Sequence, residues 1–479
     1  MFDAYNTIQE LHMAYKEGTT TVKQVVLTLL SRIAEIDSGA DGLKSVIEIN
    51  QDALFIAEKL DRQMPINAEM PPLYGIPVLL KDNINTKDRM HTAAGSVALS
   101  DNYAPYDAHI VKGLRQAGAV IIGKSNMTEF ANYMSRDGMP NGYSSRGGQV
   151  LNPYNRKEHP GGSSSGSGVA VAAGLCTVAV GTETSGSIIS PAGRSGIVGI
   201  KPTLGLVGRS GIIPISSTHD TAGPMARTVY DAALLLNVLA GKDPDDAATH
   251  VHNHNNPDYT SYIGKNRLDG IRIGINRPQN TQTFKVPEVS EESKIAFDNL
   301  CSLLSDAGAV LVDTIRLDYM YNMRGIMNNE FKPCLNYYLS TLNGSTKMKT
   351  LDDIVRYNQK HGATALKYGQ SILLDAENNT SGALTEMAYI EGLVEREKTI
   401  GELDKIFDEN QIDVMLNEAF TNIAPFTGFP SMTIPIGQSR DTGVPLSSYW
   451  IARRFDEASL IKVCSVAERL LGLSLRPKI

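Results

Sequence analysis

Residues 161–187 read GGSSSGSGVAVAAGLCTVAVGTETSGS. By composition the first eight positions are a linker, because Gly/Ser-rich segments behave as flexible coils. The residues after them argue otherwise. GSGVAVAAGL (166–175) has the small apolar residues of a closely packed helix, and TVAVGTET (177–184) is a short Val/Thr-rich run bounded by turn residues, the pattern of a buried strand. The stretch therefore predicts a helix and a strand in a layered core.

The same alternation runs outward on both sides. IPVLLKDNI (76–84) predicts a buried strand ending near Lys81-Asp82. DAHIVKGLRQAGA (107–119) predicts a helix, VIIGKSN (120–126) a strand and GIVGIKPT (196–203) another. Upstream, residues 7–37 predict two helices and 50–63 a third. Downstream of a polar connection over 241–261 come a strand (270–276), a helix (287–308) and a strand (309–317). A mainly helical stretch continues to 410, then strands at 412–417 and 431–437 and a helix from Asp456 to Leu471. Strands alternating with helices imply an α/β fold with a large mixed β-sheet covered on both faces. We expect one domain over 1–479: N-terminal helices (1–65), a catalytic core (66–240), a helical substrate-binding insertion (270–410) and a C-terminal return to the sheet (411–479).

Composition narrows the function classes. The 479 residues are 42% hydrophobic and 20% charged, with a net charge of -7, which suits a soluble protein and disfavours nucleic acid as partner. No stretch reaches the ~20 apolar residues of a membrane span. The N-terminal MFDAYNTIQELHMAYKEG lacks a basic segment followed by an apolar run, so no secretory signal is expected and the location is taken as cytoplasmic. Cys176, Cys301, Cys334 and Cys464 form no CxxC pair and read as free, buried thiols. His250, His252 and His254 lie in a polar loop and read as solvated; neither metal nor cofactor is expected.

Three readings compete for the serines. GSSSG (162–166) matches the G-x-S-x-G elbow with Ser164 as nucleophile, but a loop precedes it and the later histidines all sit in polar segments. A phosphate loop would need a Lys after the glycines, and there is none. The third reading uses Ser without His: a hydroxyl activated by a neutral lysine. Such a lysine must be desolvated, and Lys81 follows the apolar IPVLL.

The run from 72 to 230 resembles the amidase signature family. The matching blocks, in order, are GIPVLLKDNI, TAAGS (92–96), GKSNMTEFA (123–131), NPYNRKEHPGGSSSGSG, GTETSGSIISPAG, GIVGIKPTLGLV and GIIPISSTHDTAGPMAR, with GFPSMTIPIG (428–437) matching a late strand. The resemblance implies a Ser-cisSer-Lys catalytic unit: Lys81 as base, Ser163 as the bridging serine after a cis peptide, and Ser187 as nucleophile. It implies oxyanion or substrate contacts from Thr182, Thr184, Ser185, Gly186 and Ser164. Asp220 and Arg227 read as structural pins. The substrate it implies is a small amide or peptide amide, the protein acting as monomer or homodimer. Substrate-pocket candidates are Asn328, Asn329, Phe331, Tyr337, Phe420, Phe426 and Phe429.

Two departures bear on substrate. Where many relatives have Gly and Arg, this chain has Ser185 and Ile189. The missing Arg argues against the glutaminase component of a glutamyl-tRNA amidotransferase, and the GTET-x-GSI text is similar to peptide amidases. That glutaminase component is the alternative activity, and a non-catalytic binding protein is the alternative of another class.

Overall fold

In the computed structural model, which describes residues 3–65, 69–253, 257–277, 289–315, 317 and 321–479, Lys81 and Thr182 stand at neighbouring strand ends, and the sheet explains why. Its strands are β1 (Val46–Ile49), β2 (Pro77–Lys81), β3 (Val120–Ser125), β6 (Val178–Glu183), β7 (Val198–Lys201), β8 (Thr221–Ala226), β9 (Arg272–Asn276), β10 (Val310–Ile315), β11 (Val414–Asn417), β12 (Ser431–Gln438) and β13 (Pro445–Ala452). A separate short hairpin pairs β4 (Tyr143–Ser144) with β5 (Gly148–Gln149). The eleven-stranded order is β1-β3-β2-β6-β8-β7-β12-β13-β11-β9-β10. The sheet is mixed: β3, β2 and β6 run parallel, β6, β8, β7, β12, β13 and β11 alternate, and β11, β9 and β10 are parallel again. Because β2 and β6 are parallel neighbours, their C-terminal ends share one edge, where open α/β sheets place their sites.

Every residue of β2, β3, β6, β7 and β8 is buried, so both faces of this half of the sheet are covered. Helices 165–172 and 189–194 pack together and against the sheet; helices 109–116, 229–239 and 457–471 form a second group on it. The α/β reading with a mixed sheet holds. The observed helices include Ile8–Lys16, Val22–Arg32, Ala53–Arg62, Glu291–Asp306 and Met387–Asn410. Residues 287 and 288 of the expected 287–308 helix lie outside the described residues.

The Gly/Ser stretch is ordered core. Helix 165–172 is buried at every position. Ser165 Oγ donates to Gly161 O (2.6 Å), and the Ser125 and Ser167 hydroxyls share a hydrogen bond (2.7 Å). A Cβ at Gly166 would meet Ser45 O at 2.3 Å and Asn126 O at 2.4 Å. Small residues are present because the helix lies directly on backbone.

Three sheet strands carry no clear signal in the sequence. In β8, TAGPMA, Pro224 hides the strand because it cannot donate to a ladder. The β7–β8 pairing consists of Val198↔Ala226 and Gly199↔Met225, so Pro224 lies just beyond it. β13 carries two serines among its apolar residues, and β1 has only four residues. The helices Arg324–Thr341, Leu351–His361 and Ser371–Asn379 surround a second apolar cluster that includes Leu99, Phe130 and Met134.

Candidate active site

Lys81 ends β2 with no exposure to solvent. Its Nζ contacts Ser163 Oγ (2.8 Å), Thr182 Oγ1 (2.9 Å) and Thr182 O (3.0 Å). Burial pushes the ammonium down to about 7, against an upward pull from Glu183 and Asp220. Near neutral pH a substantial fraction of Lys81 is therefore a free amine. That amine has two N–H groups and one lone pair. Thr182 O can only accept, and Thr182 Oγ1, which already accepts from Asn83 Nδ2 (3.0 Å), has a second lone pair for Lys81. The two N–H groups are then used on Thr182, and the lone pair meets the Ser163 hydroxyl.

The Gly162-Ser163 peptide is cis. Ser163 is fully buried and its carbonyl accepts from Thr128 N–H (3.0 Å). Ser164 N–H donates to Ser187 O (3.1 Å), joining the Ser163 segment to the Ser187 loop. The Ser164 hydroxyl grips the Thr182 backbone on both sides, donating to its carbonyl (3.1 Å) and accepting from its N–H (3.2 Å). Ser164 thus sits fully buried behind Thr182 rather than in the cleft.

The loop from Thr184 to Ser187 turns the chain between β6 and helix 189–194. Gly186 has φ 94°, and a Cβ there would meet the Phe420 ring at 2.5 Å, so the position takes no side chain. Among the described residues, the N–H groups of Thr184, Ser185 and Ser187 have no acceptor in the chain, while that of Gly186 faces the Glu183 carboxylate. Ser185 is exposed; Ser187 is 8% exposed. Glu183, not singled out from the sequence, is buried and accepts from Ile188 N–H (2.7 Å) and Ile189 N–H (3.0 Å).

A cleft of about 460 Å³ opens beside this loop. Asn83, Thr182, Thr184 and Asp220 are among its lining residues; Ile212 to Ile215, Tyr106 and Tyr338 add apolar surface. Asp220, read from sequence as a pin, lines the cleft: one carboxylate oxygen accepts the Thr184 hydroxyl, the other the N–H groups of Ile215 (2.7 Å) and Ser216 (2.9 Å). Arg227 holds backbone carbonyls of Val171 (3.1 Å), Cys176 (3.0 Å) and Asn6 (2.9 Å), outside the cleft lining. Arg209 pairs with Asp246 (2.7 Å) and donates to Ser217 O (2.6 Å), bracing the wall.

Of the pocket aromatics expected from sequence, only Tyr337 lines this cleft; Phe331, Phe426 and Phe429 are fully buried core residues, and Phe420 packs on Gly186. Asn328 accepts from Tyr133 OH (3.4 Å) and Asn329 donates to Gly325 O (2.7 Å). Cys334 is only half-buried because it borders the cleft. Asn83, Glu183 and Asp220 lie inside the blocks quoted above, but their placement at the site depends on strand pairing that local pattern does not report. His250 Nε2 donates to Asp243 O (3.1 Å) and His252 stacks on Phe455; His254 lies outside the described residues. Among the described residues no group of three or more His, Cys, Asp or Glu is placed to hold a metal, and no helix is long and apolar enough to cross a membrane.

The family model described as Amidase matches residues 24–461. A peptide amidase from Stenotrophomonas maltophilia superposes with a TM-score of 0.90 at 36% identity, covering 98% of each chain. A probable amidase of Arabidopsis thaliana is 35% identical over 98% of this chain and 91% of its own length. A glutamyl-tRNA(Gln) amidotransferase subunit from Koribacter versatilis is 30% identical over 97% of this chain and 98% of its own length.

Proposed function

This chain belongs to the amidase family, a hydrolase acting on linear amides, and from that premise we propose that it releases ammonia from the C-terminal carboxamide of peptides, using Ser187 as nucleophile, Ser163 as proton relay and Lys81 as base. The observation that carries this reading is the buried Lys81 amine, whose N–H groups can both be spent on Thr182 so that its lone pair faces Ser163.

The steps derive from the groups present. Neutral Lys81 accepts the Ser163 proton as Ser163 Oγ accepts that of Ser187. Ser187 Oγ attacks the carboxamide carbon, and the carbonyl electron pair moves to oxygen. The N–H groups of Thr184, Ser185 and Ser187 are free to stabilise that oxyanion, each donor being worth roughly 3 to 4 kcal/mol. The proton returns through Ser163 to the leaving nitrogen, and ammonia departs from a Ser187 acyl ester. Water then adds with the same base and relay, regenerating Ser187 and releasing the acid.

The peptide-amide substrate is supported by the likeness to a peptide amidase along almost the whole chain and by the apolar surface of the cleft that Thr182 and Thr184 also line. The likeness to a glutamyl-tRNA(Gln) amidotransferase subunit favours a second reading, a glutaminase working with a partner. A panel of peptide amides, free glutamine and aryl amides separates them. Ammonia release from peptide amides by the chain alone supports the first reading; turnover of glutamine only, and only with a partner, would replace it.

A further inference from the structure

Two parts of the chain that line the cleft are joined by a buried carboxylate that the steps above do not use. Helix Arg324–Thr341 contributes Cys334, Tyr337, Tyr338 and Thr341 to the lining. Their helical spacing puts them on one side of the helix with Glu330, a turn earlier. Glu330 is 1% exposed. Its carboxylate reaches the turn over 216–220, of which Ser216, Ser217 and Asp220 line the same cleft. One oxygen accepts from Ser216 Oγ and from Thr218 N–H (3.0 Å). The other accepts from Thr218 Oγ and from the hydroxyl of Tyr389 (3.1 Å), which comes from helix Met387–Asn410. All four are neutral donors, and an ionised carboxylate is the side chain that only accepts. Ser216 Oγ spends its hydrogen on Glu330, so in its contact with His219 Nδ1 (3.0 Å) the imidazole donates.

The turn passes this hold on to the Ser187 loop. Asp220 N–H donates to Ser216 O (3.0 Å), which closes the turn. One Asp220 oxygen takes the N–H groups of Ile215 (2.7 Å) and Ser216 (2.9 Å), and the other takes the Thr184 hydroxyl (2.5 Å). A contiguous path of hydrogen bonds therefore leads from Glu330 on the helix, through Ser216 and Asp220, to Thr184 at the start of the loop. The backbone runs alongside it. β8 begins at Thr221, the residue after Asp220, and Thr221 pairs with Glu183, the residue before Thr184.

We propose that Glu330 is a positioning residue for the attack on the carbonyl: it clamps the 216–220 turn and, through Asp220, holds Thr184 and the free N–H groups of the 184–187 loop in place for the oxyanion. The inference rests on Ser187 being the nucleophile. Donors aimed at a developing charge are effective when they are fixed beforehand, so slackness in the loop shows in the transition state more than in substrate binding.

The test compares a dipeptide aldehyde with the matching dipeptide alcohol as inhibitors of wild type, Glu330→Ala, Glu330→Asp and Glu330→Gln. Ser187 Oγ adds to the aldehyde carbon, the carbonyl electron pair moves to oxygen, and the serine proton passes through Ser163 to Lys81. The adduct carries an oxyanion; the alcohol forms none. In Glu330→Ala the aldehyde's advantage over the alcohol should shrink by at least about tenfold, and kcat on the dipeptide amide should fall by a similar factor with KM within about threefold. Glu330→Asp keeps the charge but is one methylene short, and should change in the same direction. Glu330→Gln should recover most of the loss. Its carbonyl can serve Ser216 and the Thr218 N–H, while the Thr218 and Tyr389 hydroxyls can turn to accept from its amide. Adding Glu330→Ala to Asp220→Ala should cost less than about twofold, since both reach Thr184 by one route. If Glu330→Ala does not fold, Glu330→Asp decides. A role in folding alone lowers the amount of active enzyme and leaves the aldehyde-to-alcohol ratio where it is in wild type. That unchanged ratio, or additive effects in the double variant, would overturn the proposal. Wild type separates the two readings: if it neither releases ammonia from the dipeptide amide nor binds the aldehyde more tightly than the alcohol, the nucleophile assignment fails instead.

Discussion

Lys81 Nζ lies 2.8 Å from Ser163 Oγ, although the two residues are 82 positions apart in the chain. The contact exists because β2 and β6 are parallel neighbours, which puts the end of β2 beside Thr182, and because Ser164 ties the Ser163 segment to that same Thr182. The proposed base, the proposed relay and the loop are thus fixed by one strand pairing and one hydroxyl.

On the proposed mechanism the pH dependence is set by Lys81. The base form is the free amine, its fraction falls as pH drops through about 7, and activity should fall with it. A kcat/KM profile on a peptide amide should show this acidic limb. Lys81→Arg, permanently protonated, should lose about 10³-fold or more at every pH from 6 to 9.

Thr182→Val removes the hydroxyl that accepts from both Lys81 and Asn83. Both forms use this acceptor, but the hydrogen bond from the charged ammonium is the stronger, so the loss weighs on the ammonium. The acidic limb should therefore move to lower pH, while unfolding free energy drops by about 1 to 3 kcal/mol for the unpaired buried donors. A limb that moved upward would contradict the assignment of the N–H groups.

Gly186→Ala places a methyl where the Phe420 ring lies, at a backbone angle of φ 94°. We expect kcat to fall about 100-fold, the scale of a displaced reacting group. Adding Phe420→Leu should recover only part of it, since the backbone conformation stays unfavourable for alanine. Steady-state kinetics of the single and double variants read this directly.

Glu129 gives a stability test. It is 1% exposed, accepts from Ser145 N–H (2.7 Å) and Oγ (2.9 Å), and burial pushes it up to about 7 from the usual 4.5. Between those values the folded state holds the proton more tightly than the unfolded chain. Stability contributed by this group is therefore present below the unfolded value and lost as pH rises to about 7. Glu129→Gln should stabilise the protein at pH 8 by about 3 kcal/mol and have little effect at pH 4.5. Urea unfolding at the two pH values measures the difference.

How much of the fold and site is readable from the chain depends on whether the signal is local. β2, β3 and β6 announce themselves as short apolar runs, and the blocks around Lys81, Ser163 and Ser187 carry the proposed site residues in sequence order. β8 does not, because Gly223 and Pro224 deny it the look of a strand although it is buried throughout. The pocket aromatics mislead for a related reason. Phe331, Phe426 and Phe429 are large and apolar, which says they want cover but not which surface provides it; core packing does. Glu183 and Asp220 look like ordinary acids until the strand pairing brings them behind and beside the loop.

The central claim is that Ser187 forms the acyl ester. Ammonia release from a peptide amide, measured for wild type and Ser187→Ala side by side at pH 8, tests it most directly. We predict that Ser187→Ala falls by at least about 10⁴-fold with its folded state intact; a variant that kept wild-type turnover would contradict the mechanism.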